Sequence, residues 1–341
     1  MSETEITEPI QALDDAGRPQ NFGWARSPLF IYNPSVIRAP RGRISESDRY
    51  ILFMPTHLFV FEIIDDGYMG YQFMSVVSLR DKKRSTKTRI TPFSLGCFNL
   101  PWDSDSGSIK LKKKNRLLNF AVMDHGVRII KADDSRFGHH YGLRGEVVLT
   151  PPPGAESLVT HMSWRGAKDA FMCARRSPWY YAEGVIQFGS SGLVFTKGNG
   201  WGVFDWNRGV RPRSDISFWA AGCGKAGDNQ VGFCVGYNSA DSSMGTDNAF
   251  FLDGKLQKLD QVTFHIPSGR LAPWRFTSND KRLEMTFTPY QERDEKHQMF
   301  FYSLKRRQLF GSFSGRVILD NGLEFEFQDI TGMAERKKSR L

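Results

Sequence analysis

The stretch Arg316-Val-Ile-Leu-Asp-Asn-Gly-Leu-Glu-Phe-Glu-Phe327 reads as two β-strands around a tight turn. Asn321-Gly322 supplies residues that accept positive φ, which primed hairpin turns demand. From Leu323 to Phe327 apolar and acidic side chains alternate, so one face meets a core and the other meets water. The same punctuation recurs along the chain. Asp65-Asp-Gly67 separates residues 50–64 from 68–79, and Asp124-His-Gly126 separates 117–123 from 127–131, each pair of runs rich in β-branched and aromatic residues. Residues 281–287 and 298–304 read as strands too, while capped amphipathic helical patterns are nearly absent. The expected fold is all-β, with antiparallel strands closed into barrels or sandwiches.

A chain of 341 residues exceeds the size at which a single core usually stops growing, so two β domains are expected, 1–150 and 151–341. The division is placed at Thr150-Pro-Pro-Pro-Gly-Ala155, because consecutive prolines stop a strand ladder. Residues 158–181 are expected to form a helical or irregular insertion that leads into the second domain at Gly184.

Aromatic residues make up 13% of the chain, with 27 phenylalanines, which suits either a bulky β core or an apolar ligand cavity. No apolar run is long enough to span a membrane and the acidic N-terminus has no signal-like core. Cys97, Cys173, Cys223 and Cys234 lack any C-x-x-C spacing, so reduced thiols and a cytoplasmic setting are expected. The net charge of +9 permits an anionic partner, but it is concentrated in short clusters around Lys82–Arg89, Lys110–Arg116, Lys305–Arg307 and Arg336–Arg340. Lysines in the second cluster suit a solvated edge strand. Peripheral contact with an anionic membrane is the further expectation, and nucleic acid is not expected.

Asp205 stands out chemically. It lies among Trp201, Phe204, Trp206 and Trp219 with Arg208 and Arg211 close in sequence. A carboxylate hemmed in by aromatic surface loses hydration and its pKa rises unless an arginine pairs with it. Asp205 is thus either a candidate acid or a structural partner of Arg208 or Arg211. Asn238, Asp241, Asp247-Asn248 and Trp274-Arg275 occupy loop-like positions that could join it at one barrel mouth, or could make Asx turns. Gly198-Asn-Gly-Trp-Gly has no following helix or Lys-Ser/Thr, and no G-x-S-x-G elbow occurs. His139-His140 would point to opposite faces of a strand, so no metal and no cofactor is expected.

Several of these segments resemble a bacterial family known as domain of unknown function 2804: Gly23-Trp-Ala-Arg-Ser-Pro28, Trp201-Gly-Val-Phe-Asp-Trp-Asn-Arg-Gly209 running to Trp219, Asp247-Asn-Ala-Phe250, Asp253-Gly-Lys-Leu256, Pro273-Trp-Arg275, Phe287-Thr-Pro289, Gln308-Leu-Phe-Gly311 and Phe313-Ser-Gly315. They run in order over most of the chain. More distantly, Gly-x-Val-Phe-Asp-Trp is similar to the central motif of the carotenoid hydratase and tocopherol cyclase group, which implies a pair of lipocalin-like, calycin-type β domains. That resemblance implies isoprenoid alkene protonation, with Asp205 as acid and Trp206 and Trp219 as faces for a cation. The hydratase Asp-His pair is not matched, since Trp206 follows Asp205. Three functions follow as expectations: binding of a hydrophobic small molecule in an aromatic-lined site, a lyase or cyclase using Asp205, or a structural role with packed barrels.

Overall fold

A computed structural model describes residues 3–138, 141–164, 166–299 and 302–340. Two curled antiparallel sheets build the molecule, and no α-helix occurs among the described residues. In the first sheet the main strand order is Lys83–Pro92, Met69–Ser78, His57–Asp65, Ile44–Phe53, Trp201–Val210, Ala167–Phe188, Leu143–Thr150, Arg128–Asp134, Arg116–Val122, Ser108–Lys113. The second runs Lys255–Lys258, Ala249–Leu252, Asn229–Tyr237, Ser214–Ala226, Glu324–Arg340, Tyr302–Ile318, Leu283–Met299, Trp274–Ser278, Val262–His265.

The three turn signatures all fall between hairpin partners. At the first, Gly67 has φ +72° and an added Cβ would stand 2.3 Å from the Arg41 carbonyl oxygen, so this turn needs glycine. The lysine-rich Ser108–Lys113 is the last strand of its flank. Curling brings that flank toward the opposite end of the order, where Lys87 donates to Asp134 at 2.8 Å.

Two expectations need correction. The sheets change at Arg211-Pro212-Arg213, between Val210 and Ser214, and the triple proline joins two strands of the first sheet instead. Leu143–Thr150 pairs with residues 181–188 of the long Ala167–Phe188 strand, and Leu158–Trp164 pairs with residues 167–176 of it. Prolines, having no N–H to give a ladder, fill the gap between these two partners. Residues 158–181 are accordingly strands, not a helical or irregular insertion. Their charged residues obscured the β pattern because Arg175 and Arg176 are buried on opposite faces, each held by hydrogen bonds, and His161 is packed among phenylalanine rings.

Alternation assigns each face of the central strands to a different core. On Ile44–Phe53, Tyr50 and Leu52 enter the core inside the first sheet, while Ile51 and Phe53 enter a seam between the sheets. Trp201–Val210 repeats this, with Phe204 and Trp206 inside and Trp201 and Val203 in the seam. Across the seam the second sheet contributes Trp219, Ala221, Phe310 and Met333. Because Phe310 is fully buried there, Phe310→Ala is expected to destabilise the protein by about 3–5 kcal/mol. Urea denaturation followed by tryptophan fluorescence measures this, and a change below about 1 kcal/mol would mean that the seam is not a packed core.

Candidate functional site

The seam changes character beyond its apolar part. Odd-numbered residues of Trp201–Val210 face the second sheet, so Asp205 follows Trp201 and Val203 onto that face. It is directly opposite Arg176 on one neighbouring strand and Arg49 on the other, and Arg49 is directly opposite Glu62. One row of cross-strand partners thus reads Arg176, Asp205, Arg49, Glu62. A second row on the facing sheet reads Trp219, Glu335, Gln308, Arg293.

Side chains link the two rows. Arg49 Nε donates to Asp205 Oδ2 at 2.8 Å, Arg176 donates to Asp205 Oδ1, and Asn207 Nδ2 adds a bond at 2.9 Å. Arg49 also reaches Glu335 at 3.3 Å and lies over the Trp219 ring, 4.2 Å from its centroid. Arg306 donates to Glu335 at 2.6 Å and to Glu62 at 2.8 Å. At the other end Asp247 accepts from Arg176 at 2.7 Å and from Thr160 at 2.9 Å. Every ion in this chain is buried.

Burial alone would raise the Asp205 pKa, but Arg176 and then Arg49 outweigh it and hold the carboxyl below its ordinary value. Asp205 is therefore ionised, the opposite of the state a proton donor needs. The geometry favours the structural-partner alternative, with partners other than those expected. Arg208 lies three residues along a strand and so on the other face, where it donates to Asp48 at 2.7 Å and stacks 4.7 Å from the Trp206 centroid. Arg211, past the strand's end, pairs with Asp66 at 3.1 Å.

A cavity of about 210 Å³ lies between the sheets beside these rows. Asp205, Arg211, Trp219, Asn238 and Asn248 line it, together with Arg49, Glu62, Arg176, Asp247, Arg306 and Glu335. Six other candidates do not. Trp201 packs in the seam, Phe204 and Trp206 in the first core, and Trp274 in the second core. Arg208 faces the first core, and Arg275 pairs with Glu284 at the surface. Asn238 makes the Asx turn expected of it, accepting from Ala240 N at 2.9 Å. Asn248 accepts from Gly236 N at 2.8 Å and donates to the Asp260 carbonyl at 3.0 Å, so its amide is already used. His139-His140 lies outside the described residues.

The walls also differ from an aromatic lining. Trp164, Phe171, Phe218, Trp219 and Tyr237 are outnumbered there by arginines, carboxylates and serines. Three buried donors in lining residues, Arg176 Nε, Arg211 Nε and Trp219 Nε1, have no hydrogen-bond partner among the described residues. Residues 49, 62, 306 and 335 were missed in the sequence because their partners are remote along the chain. The one local sign is a charge within an apolar run, as Glu62 stands in Leu-Phe-Val-Phe-Glu-Ile-Ile64.

A family described as a domain of unknown function, DUF2804, matches residues 3–341. The chain belongs to this family. Among solved structures, it is similar to CghA with Sch210972, at TM-score 0.54 and 11% identity over 88% of this chain and 89% of that one. A second CghA structure matches at TM-score 0.50 and 12% identity over 86% and 88%. Kievitone hydratase from Nectria haematococca matches at TM-score 0.46 and 10% identity over 85% and 88%. A search of curated proteins gives no match. At these identities the likeness to CghA establishes the double half-barrel fold and nothing about chemistry.

Two measurements test the buried rows. Asp205→Asn leaves Arg49 and Arg176 short of a counter-charge and is expected to cost about 3–5 kcal/mol in urea denaturation. A near-neutral change would show that the rows are not coupled to folding. Burial would raise the Glu335 pKa, yet Arg306 and Arg49 bring it from 4.5 to about 2. Its contribution is thus complete above about pH 4.5 and lost as pH falls toward 2, so Glu335→Gln should flatten the acid limb of a stability–pH curve. An unchanged acid limb contradicts the ionised assignment.

Proposed function

We propose that the DUF2804 chain binds a small, largely apolar molecule with an uncharged polar end in the cavity between its sheets. The observation that carries this reading is the pairing of the wall charges with one another. Four arginines are paired with wall carboxylates, and the two other charged lining residues, Lys337 and Asp215, are of opposite sign, so the wall holds little net charge to repay an entering ion for its lost water. The wall also leaves donors unused, the N–H of Trp219 and one N–H each of the ion-paired Arg176 and Arg211, beside Met162, Trp164, Phe171, Val210 and Val262. A buried donor without a partner is uncommon in folded proteins and suits a carbonyl or hydroxyl of a bound molecule.

Size narrows the ligand. A volume of about 210 Å³ falls below the range usual for drug-sized sites, so either the whole molecule is small or only one end of a longer chain enters. CghA, similar in fold, is solved with Sch210972, which supports a ligand role by analogy alone. Alkene protonation would require a donor other than the ionised Asp205, and this favours binding over lyase or cyclase chemistry.

The neutral fluorescent probe N-phenyl-1-naphthylamine tests the site. Saturable binding is expected, with affinity reduced by about tenfold or more in Trp219→Ala, equivalent to about 1.4 kcal/mol. Absence of saturable binding, or equal affinity in a folded Trp219→Ala protein, would overturn the proposal.

A further inference from the structure

The strands Leu283–Met299, Tyr302–Ile318 and Glu324–Arg340 continue past the core of the second sheet. On the face where Leu309 and Ala334 enter that core, the side chains beyond it are basic. Lys296, Lys305 and Lys338 stand directly opposite one another on three adjacent strands, and Ile216 takes the next place in the row. A neighbouring row places Asp294, Arg307, Arg336, Phe218 and Tyr237 opposite one another, with one acid among its cations. The three lysines and Arg336 are exposed, and none forms an ion pair among the described residues. Nearby carboxylates are already engaged, since Glu292 pairs with Arg270 and Arg307, and Asp294 pairs with Arg270.

Like charges directly opposite on a sheet oppose folding, so three aligned lysines without acids call for an external anion. The apolar neighbours say what kind. Ile216 is 38% exposed and Tyr237 is 62% exposed on this same face. Exposed lysines beside an aliphatic and an amphipathic aromatic side chain are the composition of a surface that rests in a lipid headgroup layer. A polynucleotide would be served by the charges but gives Ile216 no role.

We propose that this end of the second sheet docks on an anionic phospholipid surface, with Lys296, Lys305, Lys338 and Arg336 against lipid phosphates and carboxylates and with Ile216 and Tyr237 among the headgroups. Phe218 and Tyr237 also line the inter-sheet cavity, so the docking face adjoins its mouth. Docking does not require the cavity to bind a ligand, and it is measured separately from probe binding.

Vesicle flotation of the full chain provides the test. Binding is expected to vesicles of phosphatidylcholine with about one-third phosphatidylserine, to be absent with phosphatidylcholine alone, and to weaken as salt is raised. Lys305→Glu with Lys338→Glu should lower it by about tenfold or more. Lys112→Glu with Lys114→Glu, a change of equal charge on the far edge of the first sheet, should leave it near the wild-type level. Salt-insensitive binding of the wild type, equal binding to neutral vesicles, or equal loss in both double variants would overturn the proposal. So would binding of a single-stranded RNA without binding of anionic vesicles.

Discussion

The fold depends on two facing rows of cross-strand charge. Arg176, Asp205, Arg49 and Glu62 are neighbours because four strands of the first sheet align them, and Glu335 with Gln308 is aligned by the second sheet. Arg49 and Arg306 then bridge the rows. A shift of any one strand by a single residue would turn its ion to the opposite face and leave the others buried without a partner. The penalty for a buried unpaired charge is several kcal/mol, comparable to much of a domain's net stability. Register and the relative placement of the sheets are thus fixed largely by electrostatics at a location where the sequence looks merely hydrophobic with scattered charges.

The same saturation explains why a cavity survives beside the rows. An apolar wall can relax to fill a void, gaining contacts as it collapses. Here each guanidinium is tied to two or more acceptors, so moving it inward to close the gap would break charge-assisted hydrogen bonds. The Arg49 guanidinium over Trp219 further restrains one of the rings that face the space. A wall whose arginines are tied in this way resists collapse.

These properties account for what the sequence made legible. Turn chemistry at Asp65-Asp-Gly67, Asp124-His-Gly126 and Asn321-Gly322 is local, and it correctly indicated antiparallel hairpins. Edge lysines in Ser108–Lys113 were legible for the same reason. The place where one sheet gives way to the other was not, because Pro151-Pro-Pro153 and Pro212 both interrupt ladders and only the distant pairing partners distinguish a gap within a sheet from a passage between sheets. Asp205 was singled out by its aromatic setting, and it does line the cavity. Its arginine partners were not legible, because they are neighbours in space and not in sequence. Arg208 is close in sequence but on the other face, while Arg49 and Arg176 are far in sequence and within hydrogen-bond reach.

The aromatic residues teach a related distinction. Trp201, Phe204 and Trp206 drew attention as a cluster around a carboxylate, yet alternation sends Phe204 and Trp206 into one core and Trp201 into the seam. A tryptophan-rich strand therefore serves packing on both of its faces, and clustering in sequence says little about a site. Trp219 differs through its position across from Glu335 and under Arg49, where its ring is a wall and its N–H is unsatisfied. In this fold a void remains where the seam changes from apolar packing to ion pairs, and the Trp219 ring faces it. That transition lies at Asp205 on one sheet and at Trp219 on the other.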